Sequence, residues 1–201
     1  MSPPQDAGYL SRAVLDTSVL FDPYVRDVLL NLAEDERYEV RWNETILEEL
    51  GRALAGRVPA HKIATTTAAM NAEFPDALVE GRHPVATTPR LPDPNDRHVL
   101  SAAMASRAGF IVTNNLRDFP EAILGPIEIE AVSADAFLTW LYRQSPAETL
   151  RVVKEQCLAY SRPPVRTLDE FAELMERRGV DTFTRCLTGH RTSWRASPSF
   201  R

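Results

Sequence analysis

Four carboxylates in this chain have the type and spacing to do chemistry together: Asp16, Glu49, Asp96 and Asp118. Asp16 ends a short apolar run, Arg12 to Leu15, which reads as a buried parallel strand because it is too short for an amphipathic helix. Asp118 closes a polar turn, Asn114 to Asp118, directly after a second apolar run, Phe110 to Thr113. Glu49 and Asp96 fall on helical patterns. At about 100° per residue, Ile46, Leu47, Leu50, Ala53 and Leu54 form one apolar arc with Glu49 at its edge, whereas Glu48 points away to solvent. Asp96 lies between Val99, Leu100 and Ala103 on the apolar face of its own helix. In a parallel α/β sheet, sites form at the carboxyl ends of strands, so the four would converge on one edge. Clustered carboxylates repel one another and titrate upward unless cations neutralise them. An all-oxygen donor set suits Mg²⁺ or Mn²⁺, and such ions activate water and stabilise in-line displacement at phosphorus.

The elements that must position these groups follow in order. A helix is expected from about Pro23 to Ala33, with Val25, Val28, Leu29 and Leu32 on one face. Arg37 to Trp42 alternates as a strand. Asn43 can cap the helix that carries Glu49, and Gly56 can end it. An irregular helical region covers about Pro59 to Glu80, and Gly81 to Pro92 reads as a loop. Asp93 at the cap and Pro94 at the first helical position open the helix of Asp96, which runs to about Arg107 and ends near Gly109. Asp93 competes with Asp96 as a ligand; its place before the helix makes it a natural cap. Pro126 to Val132 supplies a fourth strand. Alternating strands and helices favour a parallel α/β sheet. Beyond Ser133 only helical patterns continue, at about 133–142, 146–160, 167–178 and 181–187.

The bulk properties narrow the classes. A chain of 201 residues suits one α/β domain with an appendage, or two small domains. A formal net charge of −5 argues against non-specific coating of nucleic acid, but not against an enzyme that meets a phosphodiester through metal ions and a few arginines. No apolar run is long enough to span a bilayer, and the first residues lack the apolar core of a signal peptide, so a cytoplasmic location is expected. Cys157 and Cys186 lack metal-ligand spacing and read as two reduced, mostly buried thiols.

The segments AVLDTSVLF, ILEEL, DPNDRHVLSAA and IVTNNLRDF, in that order, resemble the PIN-domain nucleases over roughly residues 12–132, and within them the VapC-type toxins of bacterial toxin–antitoxin pairs. The resemblance implies a three-layer α/β/α sandwich around a parallel sheet, plus a helical C-terminal extension similar to that of some VapC-type toxins. The expected organisation is a flexible leader at 1–11, a PIN-like nuclease domain at 12–132, the extension at 133–190 and a loose tail at 191–201. It further implies a metal-dependent endoribonuclease, usually a homodimer, inhibited by a small antitoxin protein. The family's acidic quartet would fall on Asp16, Glu49, Asp96 and Asp118, holding Mg²⁺ or Mn²⁺. Cleavage would leave a 5′ phosphate and a 3′ hydroxyl. Many relatives have Asp where this chain has Asn115, which could bind metal through its side-chain oxygen or hold a water.

Each signal also has an ordinary reading. Asp16 could cap the following turn, Glu49 could be a surface charge, Asp96 could pair with Asp93 at the helix start, and Asp118 could cap the helix after it. Thr17 and Ser18 could orient Asp16, contact a phosphate, or only satisfy a turn. Arg97, Arg107 and Arg117 flank the acidic segments and are candidates to meet RNA phosphates. His98 points away from the apolar arc and reads as solvated, and Trp42 and Trp140 read as core or interface residues. Two other functions compete. One is a PIN-shaped RNA-binding or scaffold module without catalysis. The other is a haloacid-dehalogenase-like phosphatase, whose chemistry needs a second Asp where Ser18 stands.

Overall fold

A computed structural model describes residues 10–79, 88–160 and 167–189. At its centre is a four-stranded, wholly parallel sheet built from β1 (Arg12–Leu15), β2 (Glu39–Arg41), β3 (Phe110–Val112) and β4 (Glu130–Val132), in the order β2-β1-β3-β4. Ala13 to Leu15 and Phe110 to Val112 are buried on both faces, which is why these runs are continuously apolar rather than alternating.

The order of the strands decides where a site can form. The chain leaves β1 toward β2 on one side, then returns to add β3 and β4 on the other. The crevice beyond the carboxyl ends of β1 and β3 is therefore the topological switch point. Right-handed crossovers place α2 (Pro23–Glu34) on one face, and α3 (Glu44–Leu54) with α5 (Arg97–Ser106) on the opposite face. Residues Val25, Val28, Leu29 and Leu32 of α2 are buried at helical spacing, as are Ile46, Leu47, Leu50 and Leu54 of α3. Asp22 caps α2 by accepting the N–H groups of Tyr24 and Val25, and Asn43 caps α3 by accepting that of Ile46 at 2.9 Å.

Several boundaries differ from the sequence expectation, each for a local reason. A one-turn helix, α1 (Thr17–Leu20), follows Asp16 at once. The second strand is shorter than Arg37 to Trp42: Tyr38 turns inward so that its hydroxyl donates to Leu29 O, and Trp42 pairs only with Leu78. Asp96 ends a 3-10 turn, Pro94–Asp96, and α5 starts after it. Arg107, not Gly109, takes the left-handed conformation that ends α5. Pro126 and Ile127 belong to a 3-10 turn rather than to β4. Between α3 and the 3-10 turn, α4 (Ala60–Glu73) buries only Met70.

Beyond the sheet come α6 (Glu121–Leu124), which precedes β4, and then α7 (Ala134–Gln144), α8 (Pro146–Ala159), α9 (Leu168–Glu176) and α10 (Asp181–Thr188). The expected helical C-terminal region is therefore present. Phe137 and Trp140 of α7 pack on Phe110, and α8 packs on α2. Trp42 is fully buried, so both tryptophans singled out in the sequence serve the packing. Cys157 is buried and Cys186 half-buried, both as free thiols; burial pushes the Cys157 thiol up to about 12. No helix among the described residues is long and apolar enough to cross a membrane. Most of the leader, the loop from residue 81 to 87 and the 191–201 tail lie outside the described residues.

Candidate metal-binding site

The site grows from the end of β1. Asp16 is 4% exposed, the most deeply buried carboxylate of the four, and its backbone is still extended, with its N–H bonded to Val112 O. Its side chain makes no capping bond to α1, so the turn-cap reading does not hold. Instead, Oδ2 accepts two short hydrogen bonds, from Ser18 Oγ and Thr113 Oγ1, each at 2.7 Å.

The backbone after β3 aims those two hydroxyls. The N–H of Asn114 donates to Ser18 Oγ and that of Asn115 donates to Thr113 Oγ1. Each hydroxyl accepts from the turn, so its own proton is directed at Asp16. Both bonds land on Oδ2, which leaves Oδ1 free of these two hydroxyls. Thr113 was missed in the sequence because a threonine ending an apolar run looks like one more strand residue. The polar Asn114-Asn115 pair that follows it was the available signal.

Glu49 and the start of α5 are brought in by a single side chain. Asn43, while capping α3, also donates from Nδ2 to His98 O at 2.9 Å. This bond holds the first turn of α5 beside α3. Glu49 Oε2 then lies 3.1 Å from Thr17 Oγ1 and 3.3 Å from His98 Nε2. Thr17 shares its one proton between Glu49 and Ile46 O. Glu48 is exposed, as the helical wheel implies, and Glu49 is turned inward.

His98 corrects the sequence reading. Its side chain is only 17% exposed, with Nδ1 2.6 Å from Asn95 O and Nε2 facing Glu49. Nδ1 is within hydrogen-bond distance of Asn95 O, and Nε2 is buried beside the Glu49 carboxylate without a hydrogen bond of good geometry. The wheel of α5 alone could not show this, because the neighbour that covers the polar side of its first turn belongs to α3.

Asp96 carries the electrostatic signature of the site. Its carboxyl is pushed up to about 6, first by burial and then by the negative charges of Asp16, Asp118 and Asp93, with His98 pulling the other way. It makes no side-chain cap to α5. Asp93 does behave as a cap, accepting the N–H of Asn95 at 2.8 Å, although it stands close enough to add to the field at Asp96. Asp118 ends a 3-10 turn, Leu116–Asp118, and α6 has no side-chain cap, so Asp118 is not spent there. The structure thus brings Asp16, Asp96 and Asp118 into one field, with Glu49 at its edge. Asn115 is exposed, and only its backbone joins the network. Arg117 is exposed on the same turn, whereas Arg97 reaches toward Thr88 O.

Hard divalent cations fit this donor set. The groups are all oxygen, one aspartate is oriented by two hydroxyls with its second oxygen free of them, and Asp96 is held against its ionised form by burial and then by its acidic neighbours. Among the described residues no three such side chains are drawn tightly enough around one point to form a closed cage. The arrangement is a loose acidic ring that a cation would have to draw in. A cavity of about 760 Å³ adjoins the ring through Asn95 and His98 but is not lined by Asp16, Glu49, Asp96 or Asp118. The carboxylates, not the cavity, mark the chemistry, because the charge that needs neutralising lies among them.

The model of the PIN domain matches residues 12–117, and that of the VapC50 C-terminal domain matches residues 134–198. A protein of Mycobacterium tuberculosis named "Putative ribonuclease VapC50" is 42% identical over 69 residues, which are 34% of this chain and 41% of that protein. The alignment therefore spans less than half of that relative. No solved structure matches the chain. The chain belongs to the PIN-domain family, and its helical C-terminal region is of the kind found in VapC50.

Proposed function

We propose that this PIN-domain chain is a metal-dependent endoribonuclease, the toxin of a toxin–antitoxin pair. The observation that carries the reading is the common field of Asp16, Asp96 and Asp118 at the switch point, with none of the three used as a helix cap. Such an arrangement stores repulsion that a bound cation relieves. The name of the Mycobacterium tuberculosis relative supports ribonuclease chemistry, and the C-terminal match supports the VapC type. Working in the cytoplasm, partnership with a small antitoxin protein and a homodimeric state belong to the same proposal.

Each residue then has a task. Asp16 and Asp96 hold Mg²⁺ or Mn²⁺, with Asp118 and Glu49 completing the acidic ring. Bound there, the cation supplies an activated water and charge stabilisation at phosphorus. Ser18 and Thr113 fix the rotamer of Asp16, and Thr17 fixes Glu49. His98 lies against the same carboxylate oxygen of Glu49 as Thr17 does. Hydrolysis with the 3′ oxygen as the leaving group would give a 5′ phosphate and a 3′ hydroxyl.

Incubating purified protein with total cellular RNA in Mg²⁺, Mn²⁺ or EDTA tests the reading. Metal-dependent fragments are expected, and the rate should fall by about a thousandfold in Asp16→Asn, whose fold is retained, since charge stabilisation of this kind is worth several kcal/mol. Equal cleavage by wild type and Asp16→Asn would overturn the assignment. Absence of both cleavage and metal binding would favour a PIN-shaped RNA-binding or scaffold module.

A further inference from the structure

From Leu50 to Ala72 the chain has no Asp or Glu, yet it carries Arg52, Arg57, His61 and Lys62, in a protein whose net charge is −5. All four are exposed. They lie where the chain passes from the end of α3 to the start of α4. Arg52 begins this strip at the acidic ring, with Nη2 3.9 Å from Glu49 Oε1 and its side chain 69% exposed. Arg57 stands over the ring of Phe21 at 5.1 Å. Phe21 directly follows α1, the single turn that begins at Asp16 and carries Thr17 and Ser18.

Local stability accounts for these cations only in part: the cation–π contact of Arg57 with Phe21 is an exposed one of small worth. Arg52 does complement the carbonyl end of α3, and its contact with Glu49 is of the exposed kind that contributes little. Arg57 lies beyond α3. Lys62 sits in the first turn of α4, where the helix dipole disfavours positive charge, and no acidic residue stands in that turn to offset it. The helix N-terminus therefore adds its own positive potential to that of Lys62. In addition, α4 buries only Met70, so the outer side of this elbow is open.

We propose that the strip Arg52–Arg57–Lys62 is the surface that holds the phosphate backbone of single-stranded RNA as it enters the acidic ring. The inference rests on the ribonuclease reading and adds the side from which the substrate comes. Charge complementarity selects the occupant: a polyanion is drawn to an exposed, acid-free run of cations that borders a ring of carboxylates, and is repelled by the net negative charge of the rest of the chain. Arg117 lies on the β3 side of the crevice, and Arg97 is turned toward Thr88, so neither of these arginines beside the acidic motifs replaces the strip.

Binding of fluorescein-labelled oligouridylate to full-length Asp16→Asn protein, followed by anisotropy over a salt series in Mg²⁺, tests this apart from cleavage. The triple variant R52Q/R57Q/K62Q should bind about tenfold or more weakly. Its slope of log Kd against log salt should fall by roughly 2, about 0.7 for each lost phosphate contact. R52K/R57K should keep most of the parent affinity, and Arg143→Gln, an exposed charge on α7, should match the parent. Unchanged affinity and slope in the triple variant, no binding by the parent, or an equal loss in Arg143→Gln would each overturn the proposal. RNA that binds through the strip but is never cut by wild type would sink the ribonuclease reading and keep the strip. Cleavage with binding indifferent to the triple variant would do the reverse.

Discussion

The acidic residues at the carboxyl end of the sheet and those beneath the C-terminal helices are treated in opposite ways. Under the helices the carboxylates have partners. Asp22 accepts from Arg178 Nε at 2.7 Å while capping α2, and the same guanidinium lies over Tyr24. Asp35 pairs with Arg151, and Asp135 accepts the N–H of Phe183 at 2.8 Å. Asp27, pushed upward mainly by burial, lies beside Arg26 and accepts from the Tyr160 hydroxyl. At the sheet end, Asp16, Asp96 and Asp118 share one field, and the group that pulls the Asp96 carboxyl the other way is His98, which also lies against Glu49. Paired carboxylates fasten the extension to the core; those at the switch point are set against one another.

Disarming the hydroxyls around Asp16 should produce the largest separation between the regions. Ser18→Ala combined with Thr113→Val removes both donors to Oδ2, and RNA cleavage should drop about a hundredfold, roughly 1.4 kcal/mol per bond. Circular dichroism should show an intact fold. If the rate per folded molecule stayed at the wild-type level, the orientation of Asp16 would not matter. Arg178→Ala probes the opposite region. Urea unfolding should show a loss of about 1–2 kcal/mol, from one ion pair and one cation–π contact, with the cleavage rate per folded molecule unchanged. A selective loss of cleavage would mean that the extension acts on the site and not only on the fold.

The smallest effect concerns pH. Asp96 titrates near 6 in the fold against an ordinary 3.8, so the folded state binds its proton more tightly than the unfolded chain does. Stability that is present at low pH is therefore lost as pH rises from about 4 to 6, and the penalty persists above. In EDTA at pH 8, Asp96→Asn should melt about 2 °C higher than wild type, a modest gain for a half-exposed charge, with no gain at pH 4. A variant that melted lower at pH 8 would show that Asp96 is a structural partner rather than a strained ligand.

Much of this division was legible in the sequence, residue by residue. Asp16 was readable because a run as short as Arg12–Leu15 cannot be an amphipathic helix. Glu49 was readable at the edge of its apolar arc, which turns it inward, whereas the wheel that put Asp96 on the apolar face of a helix does not apply as read, because Asp96 ends the 3-10 turn before α5. The one-turn helix α1 was not, because four residues carry no period. His98 was misjudged because what covers it is Glu49, on a helix far away in sequence. The pairing of Asp22 with Arg178 was equally invisible, since no local pattern links residues so far apart along the chain.

The central claim is that the sheet-end carboxylates hold a divalent cation, and Mn²⁺ titration followed by electron paramagnetic resonance tests it most directly. Wild type should bind Mn²⁺ saturably, with competition by Mg²⁺. Asp16→Asn and Asp96→Asn should each weaken binding by about tenfold or more, the worth of at least 1.4 kcal/mol for a lost ligand, while Asp22→Asn should bind as wild type does. Equal Mn²⁺ affinity in wild type, Asp16→Asn and Asp96→Asn would contradict the account.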